Sequence, residues 1–161
     1  MLLCLDVNNF DKLTVFFAEY ALTRSCLTMV LYALNAKFIK VYRFGKTPEG
    51  NRTNFHFEGS VEGTEFSGKS SGIDYSVMSE GRINVHVHET ISTNNHTLLS
   101  VERNGVSEYT DGKGTIRIRG GQAILRVSEP KFDWLNTTLF LWDADLDWNS
   151  RDFTVVVYCN D

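Results

Sequence analysis

A chain of 161 residues with 16 basic and 20 acidic side chains, a formal charge of −4 and 42% hydrophobic residues has the size and make-up of one domain with a substantial core. Neither sign of charge gathers into a block, which excludes the concentrated basic surface needed to displace counterions from nucleic acid. Cys4, Cys26 and Cys159 are odd in number and far apart, which fits neither a disulfide framework nor the close pairs of a structural zinc site.

The N-terminal stretch comes first in chain order. Asp6, Asp11 and Lys12 interrupt its apolar runs before a signal-peptide core or cleavage site is complete. The longest apolar run, from Cys26 to Ala36, is short of the ~20 residues a spanning helix requires. A cytoplasmic protein without a membrane partner is the expectation. Leu13 to Leu34 carries apolar residues at both helical and strand spacing, so residues 1–36 are compatible with a helix or with an irregular first strand.

From Phe55 onward the residues alternate apolar and polar in short runs separated by Gly, Asn, Asp and Ser, the pattern of half-buried strands joined by turns. Strands are predicted at Glu65 to Gly68 and Asp74 to Met78. The run from Ile83 to His88 follows, then a turn at Ser92 to His96 and a return strand from Thr97 to Arg103, which together read as a hairpin. Further strands are predicted at Gly114 to Arg119, Ala123 to Val127, Thr137 to Trp142 and Phe153 to Cys159. With no repeat or linker, the expected fold is all-β: one antiparallel barrel over residues 1–161, of about eight or more strands and lipocalin-like in outline.

Several side chains in this pattern are suited to chemistry. On the run from Ile83 to His88 one face carries Ile83, Val85 and Val87 and the other Asn84, His86 and His88. If the polar face points inward, two imidazoles able to exchange protons near neutral pH look into the barrel, with Asn84 beside them as a substrate contact. The opposite reading makes the valine face core and leaves both histidines outside. The His-x-His pair beside Glu89 also resembles part of a cupin first motif. Its glycine spacing is short, Glu89 falls on the other face and no second motif follows, so no metal and no cofactor are assigned.

Asp74 and Tyr75 follow Ser70-Ser71-Gly72, where a turn or bulge could aim a carboxylate and a phenol into a barrel mouth, and ordinary turn capping by Asp74 accounts for the pattern as well. Arg103, at the end of the return strand, is placed to hold an oxyanion, whereas Arg117 and Arg119 read as solvated. Phe132, Trp134, Phe140, Trp142, Trp148 and Phe153 are enough aromatic surface for a flat ligand, and core packing accounts for them equally well. Asp143, Asp145 and Asp147 read as a solvated strand edge or loop.

The segment Trp134-Leu135-Asn136-Thr137-Thr138-Leu139-Phe140, preceded by Arg126 to Phe132, resembles the C-terminal signature of the small barrel family known as domain of unknown function 3237. Thr47 to Arg52, Gly72-Ile73-Asp74-Tyr75 and Asn104-Gly105-Val106 agree with that family in order. Where relatives tend to carry Asp and Arg on the central strand, His86 and His88 stand here, and the first forty residues depart from the usual first strand. The resemblance implies a barrel with a central cavity. For fungal members beside natural-product pathways it implies cofactor-free cyclisation or isomerisation of a reactive polyketide-type intermediate.

The residues and the resemblance together lead to one expectation, a cofactor-independent cyclase or isomerase. It would form a C–O bond within a conjugated intermediate, with Asp74, Tyr75, His86, His88 and Arg103 catalytic and Asn84, Trp134, Asn136 and Phe140 contacting substrate. The alternative is a carrier of a small apolar ligand. Either way the expected partner is a small apolar or aromatic molecule, and a homodimer is compatible with the sequence.

Overall fold

The period-two pattern resolves into eight strands: β1 (Thr28–Thr47), β2 (Gly50–Gly63), β3 (Ser67–Ser79), β4 (Arg82–Thr93), β5 (Leu98–Tyr109), β6 (Thr115–Val127), β7 (Phe140–Asp147) and β8 (Asp152–Asn160). The computed structural model describes residues 28–109 and 114–160. Each strand pairs antiparallel with the next, and β8 returns to β1, so the sheet closes into a barrel. Closure satisfies the backbone groups that an open sheet would leave at its edges. The part of the N-terminal stretch from Thr28 onward is strand, and the rest of the segment left open between helix and strand lies outside the described residues.

Two pairs of predicted short strands are each one long strand. Ser67–Ser79 runs straight through Gly72, and Thr115–Val127 runs through Gly120-Gly121. At the second site the chain does not turn. Gly120, at φ 64°, absorbs a bulge that shifts the register with β5 between Asn104 and Ser107. In the other direction, the strand predicted from Thr137 begins only at Phe140. Residues Pro130–Asn136 form a short 3-10 helix instead, and the Thr137 and Thr138 hydroxyls both donate to the Trp134 carbonyl at its end.

That helix closes one end of the barrel. Phe132 and Leu135 are buried in it, the Phe132 ring meets Phe66 edge-on at 5.8 Å, and Phe66 in turn packs on Tyr32. Asn136 ties the helix to β6: its Oδ1 accepts from Val127 N and its Nδ2 donates to Val127 O, both at 2.9 Å. Above this plug the interior is filled by Leu34, Val61, Ile91, Leu99, Leu125 and Phe140, all fully buried. Each such side chain stabilises the barrel by about 1.5–3 kcal/mol. The other end carries the turns at 47–50, 79–82 and 147–152, and there the interior is not filled.

The acidic stretch of β7 departs from its expected role, because in a closed barrel this strand is not an edge. Asp143 is buried and accepts hydrogen bonds from Gly120 N at 2.8 Å and the Tyr158 hydroxyl at 3.1 Å, which fastens the bulge. Asp145 pairs with Arg117 and Arg119, which do lie on the outer surface.

Candidate functional site

Strand β4 decides where chemistry can sit. Val85, Val87, Glu89 and Ile91 are buried on its inner face, so Asn84, His86 and His88 point out of the barrel. The apolar stripe is the one that leaves water for the barrel interior: Ile91 packs in the filled half, and Val85 and Val87 line the cavity. The placement of the two imidazoles and Asn84 in the pocket is therefore corrected. Tyr75, next to the inward Asp74, also lies on the outer wall, where its ring stands edge-on to His88 at 5.8 Å.

Asp74 and Arg103 do face inward. Asp74 pairs with Val87 on β4, and Val87 pairs with Arg103 on β5, so carboxyl and guanidinium stand in one row across three strands. Both line a cavity of about 200 Å³ whose other walls include Phe55, Phe57, Trp142, Trp148 and Phe153. Of the aromatic residues left open between pocket and core, Trp142, Trp148 and Phe153 line the cavity. Trp134, Asn136 and Phe140 do not. Trp134 and Phe140 pack together at the plugged end, and both polar ends of the Asn136 amide are engaged by Val127.

Arg103 is 1% exposed, and taking a guanidinium out of water costs several kcal/mol unless it is paired. Its Nη2 meets Glu89 Oε2 at 3.0 Å, and Ser70 Oγ donates to the other Glu89 oxygen at 2.5 Å. Arg103 also lies over the Trp142 ring, 5.0 Å from its centroid. Trp142 is fixed from behind: its indole N–H donates to the Asn104 and Gln122 carbonyls at the bulge, and a Cβ on Gly121 would collide with that nitrogen. Two guanidinium nitrogens, Nε and Nη1, have no hydrogen-bond partner among the described residues. The buried Tyr32 phenol lies in the field of Glu89, and its pKa is pushed well above the usual value, by burial first and by that carboxylate second.

The Asp74 carboxyl is raised from 3.8 to about 7. Burial drives the rise; the Ser76 hydroxyl, which donates to Oδ1 at 2.8 Å, and the charge of Arg103 act against it. A group that can hold or release a proton near neutrality thus faces an apolar cavity beside a fixed positive charge.

The outer wall of the same strands carries a second cluster. His86 and His88 bring their Nε2 atoms to 2.7 Å, and His86 Nδ1 lies 2.5 Å from Asn104 Oδ1. Glu102 on β5, the register partner of His88, completes a group whose ligand atoms lie within 4.8 Å of one another.

In the sequence Glu89 figures only as a neighbour of the His-x-His pair and Ser70 only as part of a turn, and neither of them, nor Ser76, is given a role in the pocket, although a signal for Glu89 exists. It interrupts the stripe Val85, Val87, Ile91, and Arg103 interrupts Leu99 and Val101 on the partner strand. Opposite charges inside two apolar stripes that pair as a hairpin mark a buried ion pair.

Fold and site define a closed eight-stranded barrel with a carboxyl and a guanidinium facing an apolar cavity. The chain belongs to the protein family of unknown function DUF3237, whose model matches residues 27–158 and so includes all of β1. A conserved protein of unknown function from Rhodopseudomonas palustris has the same fold at 20% identity, with a TM-score of 0.72 over 86% of this chain and 99% of that one. A beta-barrel like protein from Acinetobacter baumannii is similar at 17% identity, with a TM-score of 0.70 over 83% and 95% of the two chains. A structure described as an enzyme from Penicillium herquei matches at 16% identity, with a TM-score of 0.60 over 83% and 93%. No curated protein matches the chain. Among the described residues no helix is long and apolar enough to cross a membrane.

Proposed function

We propose that this protein is a cofactor-independent cyclase or isomerase acting on a reactive, conjugated polyketide-type intermediate of secondary metabolism, with its chemistry on the inner wall. The observation that carries the reading is that Asp74, poised near neutrality, shares the cavity wall with a buried Arg103 whose Nε and Nη1 have no hydrogen-bond partner among the described residues. The structural neighbour described as an enzyme supports a catalytic role.

Asp74 as carboxylate takes the proton of a substrate hydroxyl, whose oxygen then adds to the electrophilic carbon of an enone or quinone methide in the same molecule. Negative charge moves to the conjugated oxygen, where Arg103 Nε and Nη1 hold it. Asp74 returns the proton to the substrate, so product and substrate are isomers. The aromatic walls fold the substrate and exclude water. Tyr75, His86, His88 and Asn84 do not touch the substrate in this scheme, because they stand on the other side of the sheet, and His86 reaches Asp74 only through its charge.

The test is ring closure of small hydroxy-enones and hydroxyl-bearing quinone methides, followed by chiral chromatography. Excess of one enantiomer is expected with the wild type and with His86→Ala, and a racemic product at the background rate with Asp74→Asn. Unchanged selectivity in Asp74→Asn contradicts the proposal. The aromatic lining of the cavity also suits a carrier of a small apolar ligand, and binding of such compounds without turnover supports that second reading.

A further inference from the structure

We propose that the outer wall carries a divalent transition-metal site formed by His86, His88 and Glu102, separate from the pocket. Antiparallel register builds it: His86 and His88 are two residues apart on one face of β4, and Glu102 is the direct partner of His88 on β5. The three ligand atoms already lie within 4.8 Å of one another, and the two imidazole nitrogens that would bind, both Nε2, face each other at 2.7 Å. Ligand atoms about 2.0–2.2 Å from a common zinc ion sit some 3.3–3.6 Å apart in a tetrahedron, so the imidazoles separate slightly and Glu102 swings in. His88 and Glu102 are exposed and free to make that adjustment.

Behind the cluster stands an acceptor that orients it. Asn104 Oδ1 stands 2.5 Å from His86 Nδ1 and, as an acceptor, holds the proton on that nitrogen. The lone pair is thereby directed through Nε2 toward His88 and Glu102, as in metal sites where an oxygen acceptor behind the ring fixes the ligating tautomer. The proton that bridges the two Nε2 atoms is displaced by the metal, to solvent or to His88 Nδ1. Tyr75 walls one side, its ring 5.8 Å from that of His88. Two imidazoles and one carboxylate suit Zn²⁺, with Cu²⁺ and Ni²⁺ as competitors, and leave a coordination position open to water.

The sequence supplies two of the ligands as His-x-His, but the third comes from the neighbouring strand, where sequence spacing cannot reveal it. The acidic residue that follows directly, Glu89, faces the barrel interior and is committed to Arg103.

Titration calorimetry of the tag-free full chain with zinc sulfate above neutral pH tests the site, with cobalt(II) absorption as a report of coordination by imidazole. One ion per chain is expected. His86→Ala or His88→Ala should weaken binding by at least tenfold, Asn104→Ala by roughly 10-fold through loss of the orienting acceptor, and Glu102→Gln by less. Melting curves of the metal-free variants, all at outer-wall positions, verify that each remains folded. Absence of zinc, copper and nickel binding overturns the proposal, and so does undiminished binding in the His86→Ala/His88→Ala double variant, which would assign the ion to other side chains.

Discussion

Strands β3, β4 and β5 present polar side chains on both faces, and the two faces of the barrel wall obey different physics. Arg103 and Glu89 on the inner face are 1% and 0% exposed at 3.0 Å, whereas the outer pair of Arg119 and Asp145, at 2.7 Å, is 48% and 42% exposed. Solvent screens the outer pair, which contributes about 0–1 kcal/mol. The inner pair is costly to form and costlier to break, because removing one partner leaves a charge in a low-dielectric interior. Proximity therefore says little about energetic weight. The side of the sheet says more.

The largest effect expected from this contrast is on Arg103. Arg103→Met leaves Glu89 buried without its counter-charge and should destabilise the barrel by roughly 3–5 kcal/mol in chemical denaturation. The double variant Arg103→Met/Glu89→Gln should recover most of that loss. A double variant no more stable than the single one would mean the pair is not coupled.

Asp74 comes next. Its folded pKa of about 7 lies above the unfolded 3.8, so the folded state holds the proton more tightly. Its contribution to stability is full below about pH 4 and is lost as pH rises toward 7, with a slope of about 1.4 kcal/mol for each pH unit crossed. Asp74→Asn should remove that slope, so the stability difference between variant and wild type grows in the variant's favour between pH 4 and 7. A difference that stays flat over this range would place the carboxyl at an ordinary pKa.

A smaller effect is expected where the two faces are joined. Asn104 accepts the Trp142 indole with its backbone carbonyl and meets His86 with its side chain, and Gly121 leaves room for the indole. Gly121→Ala should displace Trp142 and destabilise by about 1–3 kcal/mol, with weaker binding of aromatic ligands read by tryptophan fluorescence. The smallest effect belongs to the outer wall: His86→Ala/His88→Ala should alter metal-free stability by no more than about 0.5 kcal/mol and leave ring closure intact.

Much of this is legible in the sequence. Alternation from Phe55 onward marks β3 to β8 and the β4–β5 hairpin, while β1 and β2 carry no individually predicted strand; number and spacing fit a barrel or a sandwich, and the need to remove exposed edges favours the barrel. Gly120-Gly121 looks like a turn because a bulge and a turn ask the same φ of a glycine. Alternation defines two faces without saying which is inside; of the two readings of β4, the one with the valine face inward is what the structure has, with Val85 and Val87 on the cavity wall and Ile91 in the core. Asp74 and Arg103 stand out from sequence as site residues, and the structure puts both on the cavity wall. Ser76 stands two residues from Asp74 on the same face of β3, a spacing the sequence does contain, whereas the contact of Glu89 with Arg103 joins two strands and depends on their register.

The central claim is that the inner wall holds a carboxyl able to exchange protons at neutral pH. Carbon NMR titration of the side-chain carboxyl carbons, with the Asp74 signal assigned by its loss in Asp74→Asn, tests it most directly. A midpoint near 7 is the predicted result. A midpoint near the ordinary aspartate value of about 4 would contradict the account.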